Sequence, residues 1–165
     1  MTGIICAMQI EADGIIALSQ NTQTEEIAGM KFTTGTLNGR DIAVVVCGVG
    51  KVNAAMCAVV LIEKYNPDVV INSGVGGSLS TLVSIGDIVV ATKSVQHDMN
   101  TTALGDRQGE VSFPDGTKIF VDCDKTVVEK LTQACRALPD TKVEQGIIAS
   151  GDIFVSDRKK RKRIA

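Results

Sequence analysis

Apolar and polar residues follow two rhythms along this chain. Gly3–Met8 is a short apolar run followed by polar residues, the mark of a buried strand. Glu11-Ala12-Asp13 then opens a helical stretch through Leu18, with its acids at the positive end of the helix dipole. Phe32–Leu37 and Asp41–Cys47 flank Asn38-Gly39, which predicts a hairpin. Asp41–Cys47 is continuously apolar after its first residue, as a strand covered on both faces should be. In Lys51–Tyr65 the rhythm lengthens: Val52, Ala55, Met56, Val59 and Ile62 recur at helical spacing, and Asn66-Pro67 stops the helix.

The second half repeats the alternation. Asp68–Asn72 and Gly86–Thr92 read as strands, with Ser73-Gly74-Val75-Gly76-Gly77-Ser78 between them. Ser94–Gly116 reads as a long polar loop suited to function or to an oligomer contact, and Ile119–Val121 as a short strand. Asp124–Leu138 reads as a helix capped by Asp124, and Val143–Ala149 as a last strand leading into Ser150-Gly151-Asp152-Ile153-Phe154-Val155. Strands alternating with helices give an α/β sandwich on a largely parallel sheet, which the hairpin makes mixed. No repeat, low-complexity tract or linker divides residues 1–165, so one domain is expected.

Composition narrows the function. With 165 residues and 44% apolar content the chain needs no disulfide or metal staple. Four Phe, one Tyr and no Trp cannot build a stacking platform for single-stranded nucleic acid. The net charge of −2 conceals six consecutive cations, Arg158–Arg163, on a body of −8. A nucleic-acid partner would rest on that tail alone, and a solvated segment explains it as well. Five cysteines without Cys-x-x-Cys suit a reducing cytosol. Met1–Ile5 has no basic leader, and the longest apolar run, Ala54–Ile62, has nine residues, too few to span a bilayer. A cytoplasmic protein without a membrane partner is expected.

Two glycine-rich turns follow buried strands, where ligands bind in open α/β sheets. Gly48-x-Gly50-Lys51 lacks the first glycine of a P-loop at Val45 and its hydroxyl at Val52. Neither turn completes Gly-x-Gly-x-x-Gly, since Asn53 and Leu79 occupy the last positions. That leaves a backbone approaching a small ligand, or simple tight turns. Glu11, at a strand-to-helix turn, is either a partly desolvated general base with a raised pKa or a first-turn acid serving the dipole. His97 is either a base or structural, and a single His excludes a His-rich metal site. Asp152 is either catalytic or a cap, and Phe154 either stacks on a planar ligand or belongs to the core.

Taken in order, several segments resemble the methylthioadenosine/S-adenosylhomocysteine nucleosidases of the purine nucleoside phosphorylase superfamily. They are Gly3–Glu11, Gly48–Ala55, Pro67–Gly74, Gly76-Gly77, Gly86–Val90, His97-Asp98 and Ser150–Val155. The resemblance implies a three-layer α/β/α fold with a mixed central sheet, usually a homodimer. It implies hydrolysis of the N-glycosidic bond of adenine thionucleosides, with no cofactor and no metal. It assigns water activation to Glu11, ribose packing to Met8, adenine stacking to Phe154 and base-edge recognition to the backbone of Val155. Val75 and Gly76 lie in the substrate turn, with Val75 where many members carry Ser, and Leu104 lines the alkylthio pocket of a partner subunit. The family's ribose-binding Met-Glu pair and its acidic proton donor match nothing up to Ala165. The resemblance thus covers about the first two-thirds of the family domain, and little or no turnover is expected of these residues alone. Competing expectations are a phosphorolytic purine or uridine nucleoside phosphorylase, a deaminated-nucleoside hydrolase, and a non-catalytic remnant that dimerises or binds adenine. Met8–Asp13 holds no Arg or Lys for phosphate, which counts against phosphorolysis.

Overall fold

The computed structural model describes residues 1–165, whose contacts gather into two compact units, Met1–Gly76 and Gly77–Ala165. The first unit runs β1 (Thr2–Cys6), α1 (Gln9–Leu18), β2 (Gln20–Ile27), β3 (Met30–Leu37), β4 (Arg40–Val46), α2 (Lys51–Tyr65) and β5 (Val69–Asn72). Its five-stranded sheet has the order β2-β3-β4-β1-β5. β1 lies parallel to both β4 and β5, with Ile4 opposite Val44 and Ile71, whereas β2, β3 and β4 are joined antiparallel. The sheet is therefore mixed, as the sequence pattern requires.

Strand alternation sorts the apolar residues onto two faces. Ile5, Phe32, Ala43 and Val45 point one way and meet Cys57 and Leu61 of α2. Ile4, Cys6, Ile42 and Val44 point the other way and meet Ala12 of α1. This unit thus has three layers, with β4 covered on both faces. Gly3 lets β1 approach α2: a Cβ there would stand 2.7 Å from Leu61 Cδ2. α2 ends at Asn66, whose left-handed φ of 43° closes the last turn before Pro67.

The second unit contains β6 (Ile88–Gln96), a single 3-10 turn (Thr102–Leu104), β7 (Val111–Phe113), β8 (Gly116–Lys118), β9 (Phe120–Asp122), α3 (Lys125–Arg136), β10 (Val143–Ser150) and α4 (Arg158–Ile164). β6 stands between parallel β10 and antiparallel β9. Val90, Val128 and Val143 form the core under α3, whose cap Asp124 accepts from the Val127 amide at 2.9 Å. Two expectations change here. β6 runs to Gln96, so the polar stretch begins later than Ser94, and it ends in a small hairpin, β7–β8. β2 is a strand that the polar Gln20–Ile27 gave no sign of. The basic run folds as α4, capped by Asp157, whose carboxylate accepts from the amides of Lys159 and Lys160. No helix is long and apolar enough to cross a membrane.

Candidate active site

The site is built where three parallel strands end. Beyond β1, the Cys47 amide donates to the Cys6 carbonyl and the Ser73 amide to the Ile5 carbonyl, both at 2.9 Å. The chain after β1 turns through Ala7 into α1 with Met8 as N-cap. Glu11 is then the third helical residue, the position from which a Glu reaches back to its own N-cap amide. Its Oε2 accepts from the Met8 amide at 2.8 Å and the Ala7 amide at 2.9 Å. Its Oε1 accepts from the amide of Val75, in the turn after β5, at 2.9 Å. A half-buried carboxylate is thus clamped by three main-chain donors from two strand ends, beyond the carboxyl edge of the parallel strands. Glu11 therefore serves the helix start, through the Met8 amide, and at the same time joins the turn after β1 to the turn after β5.

The surroundings are apolar and small. Gly74 packs directly on the carboxylate, where a Cβ would stand 2.7 Å from Oε1. The Cys6 thiol beneath it is pushed up from the ordinary 9.0 to about 11, first by burial and then by the nearby Glu11 charge. Burial also raises Cys47, and takes Cys57 to about 12. Three residues besides Glu11 carry sequence assignments in this unit. Met8 brings its amide to Glu11 and leaves its side chain partly exposed. Val75 has a side chain 80% exposed while its amide completes the clamp. Gly76 follows with open space where a side chain would go.

The second unit holds the other assigned residues. Phe154 follows β10 and is 91% exposed, so it is not a core residue of this unit. Val155 beside it is half-buried. Leu104 is the last residue of the 3-10 turn and is 83% exposed. The base of its loop is tied down by Gln108, which donates to the carbonyls of His97 at 2.8 Å and Met99 at 3.0 Å. His97-Asp98 has a structural job: the His97 amide donates to Ser150 O, and Asp98 Oδ2 accepts from the Asp152 amide at 2.8 Å. A Cβ on Gly151 would meet the His97 ring and stand 2.9 Å from the Asp98 carboxyl carbon, so these side chains pack directly on this glycine. Sequence reasoning missed the main-chain donors on Glu11 and the contact with Gly74. No group of three or more His, Cys, Asp or Glu is placed to hold a metal ion.

Residues 2–165 match the phosphorylase superfamily. A 5'-methylthioadenosine/S-adenosylhomocysteine nucleosidase of Shewanella loihica is 39% identical over 160 residues, 97% of this chain and 68% of that protein. The structure of a 5'-methylthioadenosine/S-adenosylhomocysteine nucleosidase from Neisseria meningitidis with methylthio-immucillin-A superposes with a TM-score of 0.93 at 31% identity, covering 99% of this chain and 69% of that one. The Streptococcus pyogenes S-adenosylhomocysteine nucleosidase with 5-methylthiotubericidin gives 0.91 at 32% identity, covering 99% and 67%. The chain spans about two-thirds of the length of these relatives.

Proposed function

We propose, from the premise that this chain belongs to the phosphorylase superfamily and within it to the methylthioadenosine/S-adenosylhomocysteine nucleosidases, that it serves hydrolysis of the N-glycosidic bond of those two nucleosides. The observation that carries this reading is the clamped carboxylate of Glu11 at the strand mouth. Breaking a ribosyl–adenine bond builds positive charge on the sugar, and a fixed carboxylate beside it stabilises that charge and takes a proton from water. The water oxygen bonds to the anomeric carbon as the bond to adenine breaks. The bond pair leaves with adenine, which takes up a proton, so one water is consumed and adenine and a thioribose are released. Met8 packs on the ribose and the Val75–Gly76 turn borders it. Phe154, left open on its own unit, stacks on adenine, and the Val155 backbone meets the base edge.

We infer a homodimer from α2, whose outer face leaves Val52, Met56, Val59 and Ile62 exposed at helical spacing. Leu104, on its tied loop, then lines the alkylthio pocket of the second copy. Sedimentation should give a dimer, and Val59→Asp should give a monomer with unchanged circular dichroism; a monomeric parent removes this inference. The free thiols of all five cysteines fit the cytoplasm.

The deciding experiment incubates the chain with methylthioadenosine, with and without phosphate, and follows adenine by chromatography. Hydrolysis gives free thioribose at a rate indifferent to phosphate. A phosphate-dependent rate with a sugar phosphate as product would move the chain to the phosphorylases. Binding of the nucleoside without adenine release would make these residues a ligand-binding unit.

A further inference from the structure

We infer that Oε1 of Glu11 is the oxygen that receives the proton, and that Gly74 is the positioning residue that keeps it in place; this rests on Glu11 being the base proposed above. A carboxylate oxygen has two good acceptor directions. Oε2 uses both, on the amides of Ala7 and Met8. Oε1 uses one, on the amide of Val75, so its second direction is the one left for a water. Proton transfer therefore runs from the attacking water to Oε1, while the water oxygen bonds to the anomeric carbon.

Gly74 sets where Oε1 stands. A Cβ built on Gly74 falls 2.7 Å from Oε1, 3.0 Å from Cδ and 3.2 Å from Oε2 of Glu11, and its three nearest neighbours all belong to that carboxylate. Gly74 has no left-handed backbone angle, so alanine meets no main-chain strain there. The added methyl moves the free end of the Glu11 side chain and leaves the strand ends unchanged. Relief to an ordinary contact needs about 0.7 Å, on the scale at which misplacement of a reacting group costs about a hundredfold in rate. The Val75 amide loses its acceptor in the same displacement, while Ala7 and Met8 can follow Oε2.

Gly74→Ala is compared with the parent chain and with Glu11→Gln, and where the parent releases no adenine the amide proton shifts below decide alone. Adenine release from methylthioadenosine should fall about a hundredfold in kcat for Gly74→Ala, with KM changed less than about threefold, because ground-state binding is untouched. Adding Gly74→Ala to Glu11→Gln should cost nothing more, since both act on one oxygen. Amide proton shifts of Ala7, Met8 and Val75, read by NMR on the same proteins, need no turnover. In Gly74→Ala the Val75 proton should move upfield and those of Ala7 and Met8 much less. Parent-like kcat in Gly74→Ala beside an inactive Glu11→Gln overturns the positioning role alone, and so does an unmoved Val75 proton. Full activity in Glu11→Gln overturns the underlying reading of the base instead.

Discussion

β1, which leads into the turn that carries Glu11, lies close against α2, and that closeness can be measured at Gly3. A Cβ on Gly3 would stand 2.7 Å from Leu61 Cδ2, 3.2 Å from Leu61 Cγ and 3.3 Å from Pro67 Cγ. Leu61 is fully buried in the cluster with Ile5, Phe32, Ala43 and Cys57, so it has no free space to swing into. Gly3→Ala should therefore cost about 1–3 kcal/mol by overpacking. Leu61→Ala should cost about 2–5 kcal/mol through lost burial and a cavity. In the double variant the new methyl projects into the space that Leu61 vacated, so the two costs should fall short of their sum by about 1 kcal/mol or more. Urea unfolding followed by circular dichroism reads this directly. At a slope of about 2 kcal/mol/M, a loss of 2 kcal/mol lowers the midpoint by about 1 M. Strictly additive costs would show that the two side chains never compete for one space, and the account of the β1–α2 contact would fail.

Three further outcomes follow from the same geometry. Glu11→Gln should lower kcat for adenine release about 10²–10⁴-fold, because its amide must face one of the three N–H donors with a donor of its own and cannot accept the water's proton; calorimetry should show unchanged binding of an adenine thionucleoside. Alkaline pH should weaken the fold: Cys6 and Cys57 are raised from 9.0 to about 11 and about 12, so the native state holds protons that the unfolded chain releases first. Their contribution is complete below pH 9 and is lost as pH climbs through 11 to 12, which urea midpoints at pH 8 and 10.5 will test; equal midpoints refute it. Asp124→Ala should cost about 1 kcal/mol by releasing the Val127 amide, read as a lower thermal midpoint that Asp124→Ser largely restores.

Much of the first unit was legible because burial leaves a periodic record. Ile4 and Cys6 face α1, Ile5 and Val45 face α2, and the Asn38-Gly39 turn adopts the positive φ angles that its residues favour. β2 left no such record. Gln20–Ile27 is exposed along nearly its whole length and is a strand because β3 supplies its partners, with side-chain bonds between Thr24 and Thr33 at 3.0 Å and from the Tyr65 hydroxyl to Glu25 at 2.7 Å. The Ala28-Gly29 turn, with φ of 51° and 77°, was the available clue, but alanine rarely advertises such a turn. At the site, the position of Glu11 at a strand-to-helix turn was readable from the apolar strand before it, while its role rested on the family resemblance. Its clamp was not, because Ala7, Met8 and Val75 contribute main-chain amides that any side chain could carry. Gly74 could be seen only as one glycine among several until the carboxylate beside it was located.

The irregularity in β2 has a practical use. Pairing with β3 jumps from Gln20–Thr36 to Gln23–Thr34, leaving Asn21 and Thr22 as slack in an otherwise regular border. Slack at a solvated border absorbs insertions at little entropic cost. A dye or affinity tag spliced between these two residues should report on the first unit without touching the amides that hold Glu11.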